Sequence, residues 1–424
     1  MEKTYESMWQ SLGLNLEVHE ALLKTLGEMY ETIYLSQPNR PEGMKYFDTV
    51  ISEVHGLRIK ELLETKEKKG FVVGSFCVYV PEELIYALNG TCVGLCAGAE
   101  MGYEEAEKYI PRNTCPLIKA FMGFKLAMVC PYIECCDLIV GETTCDGKKK
   151  AYESFNQVTQ GKVYVMEVPH TKTQEAKELF FKEVTKFKEK IENIAKSKLT
   201  LDSLKRWTSI INEKRKALAR LERLRAFDPP PISGLDALLI TQIAFYDDPE
   251  RFIQKVNALC EELEYRVKSG IGVVPKGTPR IIISGCPFAL PNWKLHYLIE
   301  SSGGIVVGEE SCVGKRYYND LVDEEFNTLE EALRNISERY LKIHCACFTP
   351  NNERIEDIKA LYNSQKADGV IHYALQFCTP YMFEAYKVER NVDFPYLKIE
   401  TDYSMQDFGQ LKTRIEAFIE TLKE

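Results

Sequence analysis

A chain of 424 residues, 45% apolar and 28% charged, is long enough for two or three domains with ample cores. Its net charge of −9 excludes a nucleic-acid binder, which needs a basic face, and no run nears the roughly 18 apolar residues of a membrane span. The opening residues, MEKTYESMWQ, lack the basic-then-apolar pattern of a secretion signal, so a cytoplasmic protein is expected.

Residues 1–66 read as a helical segment. Leu12, Leu14, Leu16, Leu22, Leu23, Leu26 and Met29 recur at turn spacing, and Pro38 and Pro41 break it. From Phe71 the texture alternates. FVVGSFCVY reads as a strand, PEELIYAL as a helix opened by Pro81, and TCVGLCAG as a strand entering a glycine loop. PLIKAFMGFKLA reads as a helix, CCDLIVGETTC as strand and loop, and KVYVMEVP as a strand closed by Pro169. This alternation predicts a parallel α/β domain over 67–171. Residues 172–279 read as a helical connector, interrupted at AFDPPPISG, where three successive prolines forbid helix. A second α/β domain is predicted over 280–424. Its strands are RIIISGC, GIVVGEESC, LKIHCACF, GVIHYALQFC and PYLKIETD; its helices are PNWKLHYLIE, ERIEDIKALYNSQK and QLKTRIEAFIETL.

The halves repeat each other. VVGSFCVYVPEELIYAL answers IISGCPFALPNWKLHYL, each a strand, a Cys, a Pro and an apolar helix. LIVGETTCDGK (138–148) and IVVGEESCVGK (305–315), 167 residues apart, also match, each an apolar run leaving through a glycine loop with a cysteine at its tip. Read as equivalent loops, they place Cys145 and Cys312 in matched positions, together with Glu142 and Glu309, each a candidate proton donor or loop-capping carboxylate. Strand ends of both domains are expected to face one cleft, where open α/β sheets bind ligands.

Fourteen cysteines in a reducing compartment are not disulfides. Cys77, Cys130, Cys135, Cys136 and Cys260 read as buried apolar thiols. Cys96, Cys115, Cys145, Cys286, Cys312, Cys345, Cys347 and Cys378 stand beside Gly, Pro, Asn or Thr at the ends of apolar runs and suit ligation better. Zinc is a weak alternative, because no Cys-x-x-Cys pair occurs. A cysteine nucleophile served by one of six histidines is another, though nothing selects a pair. The glycine loops fail as phosphate loops: five residues separate the glycines, and Lys or Arg follows Gly-Lys where Ser or Thr is needed. Neither ATP nor NAD binding is expected. Dispersed thiols on loops suit an iron–sulfur cluster bridging the cleft.

The segments PRNTCPLIKAFMGF (111–124), CDLIVGETTCDGKKKAYE (136–153), PNWKLHYLIESSGGIVVGEESCVGKRYY (291–318) and ADGVIHYALQFCTPY (367–381) resemble the 2-hydroxyacyl-CoA dehydratase and benzoyl-CoA reductase subunit superfamily. The resemblance implies two flavodoxin-like α/β domains and, in the common member, one four-iron cubane held by Cys115, Cys145 and Cys378. The additional Cys96, Cys312 and Cys345 make the chain similar to the double-cubane cluster proteins, in which six cysteines hold two bridged cubanes; Cys347 and Cys286 are alternates for the last ligand. What this implies is an oxygen-sensitive enzyme that reduces small unsaturated molecules such as acetylene. Its electrons would come from a separate ATP-hydrolysing reductase carrying its own cubane. The alternatives are a single-cubane subunit of a 2-hydroxyacyl-CoA dehydratase, and a non-enzymatic cluster carrier. A homodimer is expected. The reductase is expected to dock near Lys148–Lys150; Lys148, Lys315 and Arg316 read as solvated loop cations, the alternative being charges that offset the cluster's own.

Overall fold

The protein is described by a computed structural model covering residues 5–423. Among the described residues, eight strands form two separate, all-parallel sheets. β1 (Phe71–Ser75), β2 (Gly90–Gly94), β3 (Leu138–Glu142) and β4 (Val163–Met166) lie in the order β2-β1-β3-β4. β5 (Arg280–Gly285), β6 (Ile305–Glu310), β7 (Gly369–Leu375) and β8 (Tyr396–Thr401) lie in the order β6-β5-β7-β8. The two orders are the same, so the chain holds two similar doubly wound α/β domains of flavodoxin-like type.

The inner strands are buried along their whole length, as expected of parallel strands covered by helices on both faces. One device sets the register in both sheets. Asp137, just before β3, accepts from the Val72 N–H at 2.9 Å and donates its own N–H to the Val72 carbonyl at 2.9 Å. Asp368, just before β7, does the same to Arg280, at 2.8 Å and 2.8 Å. β3 therefore corresponds to β7, and β2 to β6.

That correspondence corrects the pairing of the two glycine loops. The Cys145 loop follows β3, in the interior of its sheet, whereas the Cys312 loop follows β6, at an edge. Their sequences match because each is a buried strand leaving by a tight turn, not because they hold the same place in the repeat. The topological partners are Cys96 with Cys312, after β2 and β6, and Cys145 with Cys378, after β3 and β7. The other repeat stands: β1 and β5 correspond, bringing Cys77 opposite Cys286. LKIHCACF, expected as a strand, forms no strand; the chain leaves the helix Leu329–Leu341 through turns such as Phe348 N–H to the Cys345 carbonyl at 3.2 Å. The second sheet is completed without it.

Helices begin where their caps say. Thr173, Thr200, Ser233 and Asp248 each accept a backbone N–H from the first turn of Gln174–Ala195, Leu201–Leu224, Gly234–Ile243 and Pro249–Lys268. The helix Leu201–Leu224 joins the domains. Lys214 pairs with Glu82 at 3.0 Å and Arg215 with Glu83 at 2.8 Å on the first, while Glu222 accepts from Lys315 and Tyr318, both at 2.8 Å, on the second. The N-terminal helices pack on the same body: Arg40 bridges Asp48 and Asp236, each at 2.8 Å. One hydrophobic core runs from Leu22 to Ile419 through both domains, and a second, smaller one around Ile282, Val307 and Ile358 lies within the second domain. Among the described residues no helix is long and apolar enough to cross a membrane.

Candidate functional site

The carboxyl ends of both sheets open on one cavity of about 770 Å³. Nine of the fourteen cysteines line it: Cys77, Cys96, Cys115, Cys145, Cys286, Cys312, Cys345, Cys347 and Cys378. All eight thiols singled out in the sequence for ligation are there. The ninth, Cys77, is not the inert buried thiol its strand suggests; it lies two residues beyond β1 on the cavity wall, where Cys312 of the other domain pushes it up. The pairing of VVGSFC with IISGC carries that signal, because it sets Cys77 against Cys286. Cys130, Cys135, Cys136 and Cys260 lie outside the cavity.

The thiols divide into two sides. On one, Cys115 and Cys378 shift each other, and Cys286 raises Cys378. On the other, Cys77 and Cys312 shift each other, as do Cys345 and Cys347. Cys96 and Cys145 are influenced from both sides, Cys96 by Cys312 and Cys115, and Cys145 by Cys115 and Cys345. Among the described residues no three His, Cys, Asp or Glu side chains converge on a single ion position. A cluster asks for a wider set, because each thiolate binds a different iron.

Local structure delivers each thiol. Cys115, Cys145 and Cys378 are all helix N-caps, preceding Pro116–Leu126, Asp146–Val158 and Thr379–Arg390. At an N-cap the free N–H groups of the first turn and the positive end of the helix dipole face the sulfur. The Lys148 N–H donates to Cys145 Sγ at 3.4 Å. These donors do not overcome the opposing effects in the thiols: Cys115 is raised, first by the neighbouring Cys378 thiol and then by burial, and Cys145 is raised by burial. Cys286 follows Gly285, whose φ of +145° and 1.9 Å approach of an added Cβ to the Tyr373 carbonyl leave no room for a side chain. Its Sγ accepts the Leu375 N–H at 3.3 Å.

The opposite side is built differently. Cys312 and Cys345 stand on turns, and a buried guanidinium faces them. Arg316 Nη1 donates to Cys312 Sγ at 3.5 Å and to the Tyr381 hydroxyl, and that hydroxyl lies 3.5 Å from Cys345 Sγ. Cys345 is pulled down, first by the neighbouring Cys347 thiol and then, against burial, by the Arg316 charge and the Tyr381 hydroxyl. Arg316 is buried, not a solvated cation. Lys148 is buried too: its Nζ lies 3.5 Å from the Phe76 carbonyl and 3.7 Å from Glu142, which removes it from any docking surface. Lys315 keeps some exposure and is held by Glu222.

Glu142 and Glu309 part company. Glu142 sits behind Cys77 and Lys148, accepts the Cys77 N–H at 3.2 Å, and leaves its second oxygen without a hydrogen-bond partner. Burial raises it to about 7. Glu309 lies outside the cavity, held by Arg225 at 2.6 Å and 2.8 Å and by His296 at 3.1 Å. Burial pushes it up, but the Arg225 guanidinium outweighs this and brings it to about 2. It is a fixed counter-ion, not a proton donor.

A family profile described as 2-hydroxyglutaryl-CoA dehydratase, D-component, matches residues 77–422. The chain is 35% identical over 377 residues to the Escherichia coli K12 protein named "Putative dehydratase subunit YjiM", covering 88% of this chain and 96% of that one. It is 24% identical to the (R)-phenyllactyl-CoA dehydratase beta subunit of Clostridium sporogenes, over 89% of this chain and 97% of the other. It is also 24% identical to one of the benzoyl-CoA reductase subunits of Thauera aromatica, over 74% and 80%.

Proposed function

The chain belongs to the 2-hydroxyacyl-CoA dehydratase and benzoyl-CoA reductase subunit family, and from that premise we propose that it is an iron–sulfur reductase holding a double cubane in the inter-domain cavity. The observation that carries this reading is the convergence of nine thiols from both domains on one cavity, where the common family pattern uses three. The proposed ligands are Cys96, Cys115, Cys145, Cys312, Cys345 and Cys378, with Cys347 and Cys286 as alternates. The topology supports this six: Cys96 corresponds to Cys312 and Cys145 to Cys378. Cys115 and Cys345 each precede the helices leading into the third strand of their sheet.

Donor chemistry agrees. Soft thiolates on opposed walls suit iron–sulfur ligation, and metal binding deprotonates thiols that burial otherwise keeps protonated. When bound, the cluster would store low-potential electrons and offer iron to a substrate. The chain's own residues shape the site around it. Phe76, Phe288 and Phe348 wall the cavity, backbone N–H groups hydrogen-bond sulfur, and Glu142, raised by burial, stands behind Cys77. Electrons would come from an ATP-hydrolysing, cubane-containing reductase, the working unit would be a homodimer, and the substrates would be small unsaturated molecules.

A second reading, a single-cubane dehydratase subunit, is favoured by the dehydratase names of the relatives and by the three N-cap cysteines. Iron and acid-labile sulfide per chain, on anaerobically purified protein, separate the two. About eight irons support two cubanes and about four support one. No iron in strictly oxygen-free protein removes both.

A further inference from the structure

Arg316 spends every donor in a fixed position. Nη2 donates to the carbonyls of Gly285 at 2.7 Å and Glu310 at 2.8 Å, Nε donates to the Glu310 carboxylate, and Nη1 serves Cys312 Sγ and the Tyr381 hydroxyl. Because the guanidinium occupies a lone pair of the phenol oxygen, the hydroxyl proton is left to point at Cys345 Sγ, 3.5 Å away. Tyr381 is itself clamped, with the Arg316 and Arg354 guanidiniums each 5.1 Å from its ring centre. The two guanidiniums share one carboxylate: Glu310 takes both Arg316 and Arg354, the latter at 3.0 Å. Glu384 also takes Arg354, so the two charges are balanced, and Arg316 is the guanidinium that reaches sulfur, beside Cys312 in a buried place where it is weakly screened.

The Cys115/Cys378 side has no such group. Its sulfurs meet one another and backbone N–H groups, from Leu117 and Ile118 to Cys115 and from Leu375 to Cys286. The buried Lys148 acts on Cys96 and Cys145 and faces its own carboxylate, Glu142.

We propose that Arg316 and Tyr381 are positioning residues that set the reduction potential of the Cys312/Cys345 side above that of the Cys115/Cys378 side, so that an electron entering the site comes to rest next to Arg316. This rests on the double-cubane reading. The step is the movement of one electron, supplied by the reductase, onto one half: one ferric equivalent becomes ferrous, no bond forms or breaks, and no proton moves. Hydrogen bonds and a fixed cation at sulfur stabilise the more negative, reduced state, which raises its potential.

The test is an anaerobic redox titration followed by electron paramagnetic resonance, on the wild type and on Arg316→Met, Arg316→Lys and Tyr381→Phe, each first assayed for iron and sulfide. The expected result for Arg316→Met is a first reduction that becomes at least tenfold less favourable, a lowering of about 59 mV per tenfold for one electron. Arg316→Lys should restore part of the shift, and Tyr381→Phe should show a smaller one. Cys312→Ser should change the spectrum of the first-reduced species, and Cys115→Ser should leave it as it is. Full iron with an unmoved first potential in Arg316→Met overturns the proposal. Should Arg316→Met fail to hold iron, an unmoved potential in both Arg316→Lys and Tyr381→Phe overturns it equally. About four irons in the wild type instead removes the double-cubane reading itself, so the two failures are told apart before the titration begins.

Discussion

On one side of the cavity, Cys115 and Cys378 are presented by helix N-termini; on the other, Cys312 and Cys345 stand on turns beside a buried guanidinium. Both arrangements place positive character next to sulfur. The first uses partial charges fixed in the backbone, which no side-chain change removes. The second uses Arg316 and Tyr381, which single substitutions remove. Two near-identical sheets thus carry the same kind of thiol in environments that differ in how easily they can be altered.

The largest effect that tests this division is on iron content. Under the double-cubane reading, Cys312→Ser and Cys115→Ser should each lower iron from about eight to about four per chain, by loss of opposite halves, and the double variant should hold almost none. If Cys312→Ser keeps all its iron while Cys115→Ser loses everything, the site has one working side, and the comparison reduces to a single cubane.

The next effect is on stability. Arg354 lies behind Tyr381, held by Glu310, Glu384 and Ser284. Arg354→Met leaves Glu384 without its guanidinium and Glu310 with Arg316 alone, and should cost about 3–5 kcal/mol in urea unfolding. Lys148→Met in the other domain should cost only about 1 kcal/mol, because it removes a desolvated charge and leaves Glu142, which can take up a proton. Similar losses for both would mean that the charge networks behind the two sides are equally rigid.

Much of this contrast is legible in the sequence, and the rest has a physical reason for being hidden. The strands with continuous apolar runs, such as FVVGS and GVIHYAL, are readable because parallel strands are buried on both faces. LKIHCACF misleads because it is equally apolar, yet the place it would occupy in the second sheet is already filled. The match between the Cys145 and Cys312 loops is real at the level of strand exits and false at the level of topology, since a short segment encodes a local turn but not a position in a sheet. Arg316 looks like a loop cation because its partners, Gly285 and Tyr381, come from other elements that only the fold brings near. The eight loop cysteines are readable because a thiol beside Gly or Pro at a strand end has few ways to be buried in a core.

The smallest effect concerns the two carboxylates that the sequence makes look alike. Glu142 is raised by burial from 4.5 to about 7, so it keeps a proton that the unfolded chain gives up. Its contribution to stability is present below about pH 4.5 and is lost as pH rises through about 7. Glu309 is lowered to about 2, with Arg225 outweighing burial, so its contribution is present above about pH 4.5 and is lost only as pH falls through about 2. Between pH 5 and 8, Glu142→Gln should therefore flatten the fall in stability by roughly 3 kcal/mol at most, at about 1.4 kcal/mol per unit, while Glu309→Gln leaves the slope unchanged and lowers stability at every pH in that range. Infrared spectra at pH 6 should show a protonated carboxyl band, shared with Glu300, which burial also raises to about 7, that weakens in Glu142→Gln and is unchanged in Glu309→Gln. A band left at full strength by the first substitution would mean that Lys148 at 3.7 Å keeps Glu142 ionised. The proton store would then be absent from the first domain, and both carboxylates would be fixed counter-ions.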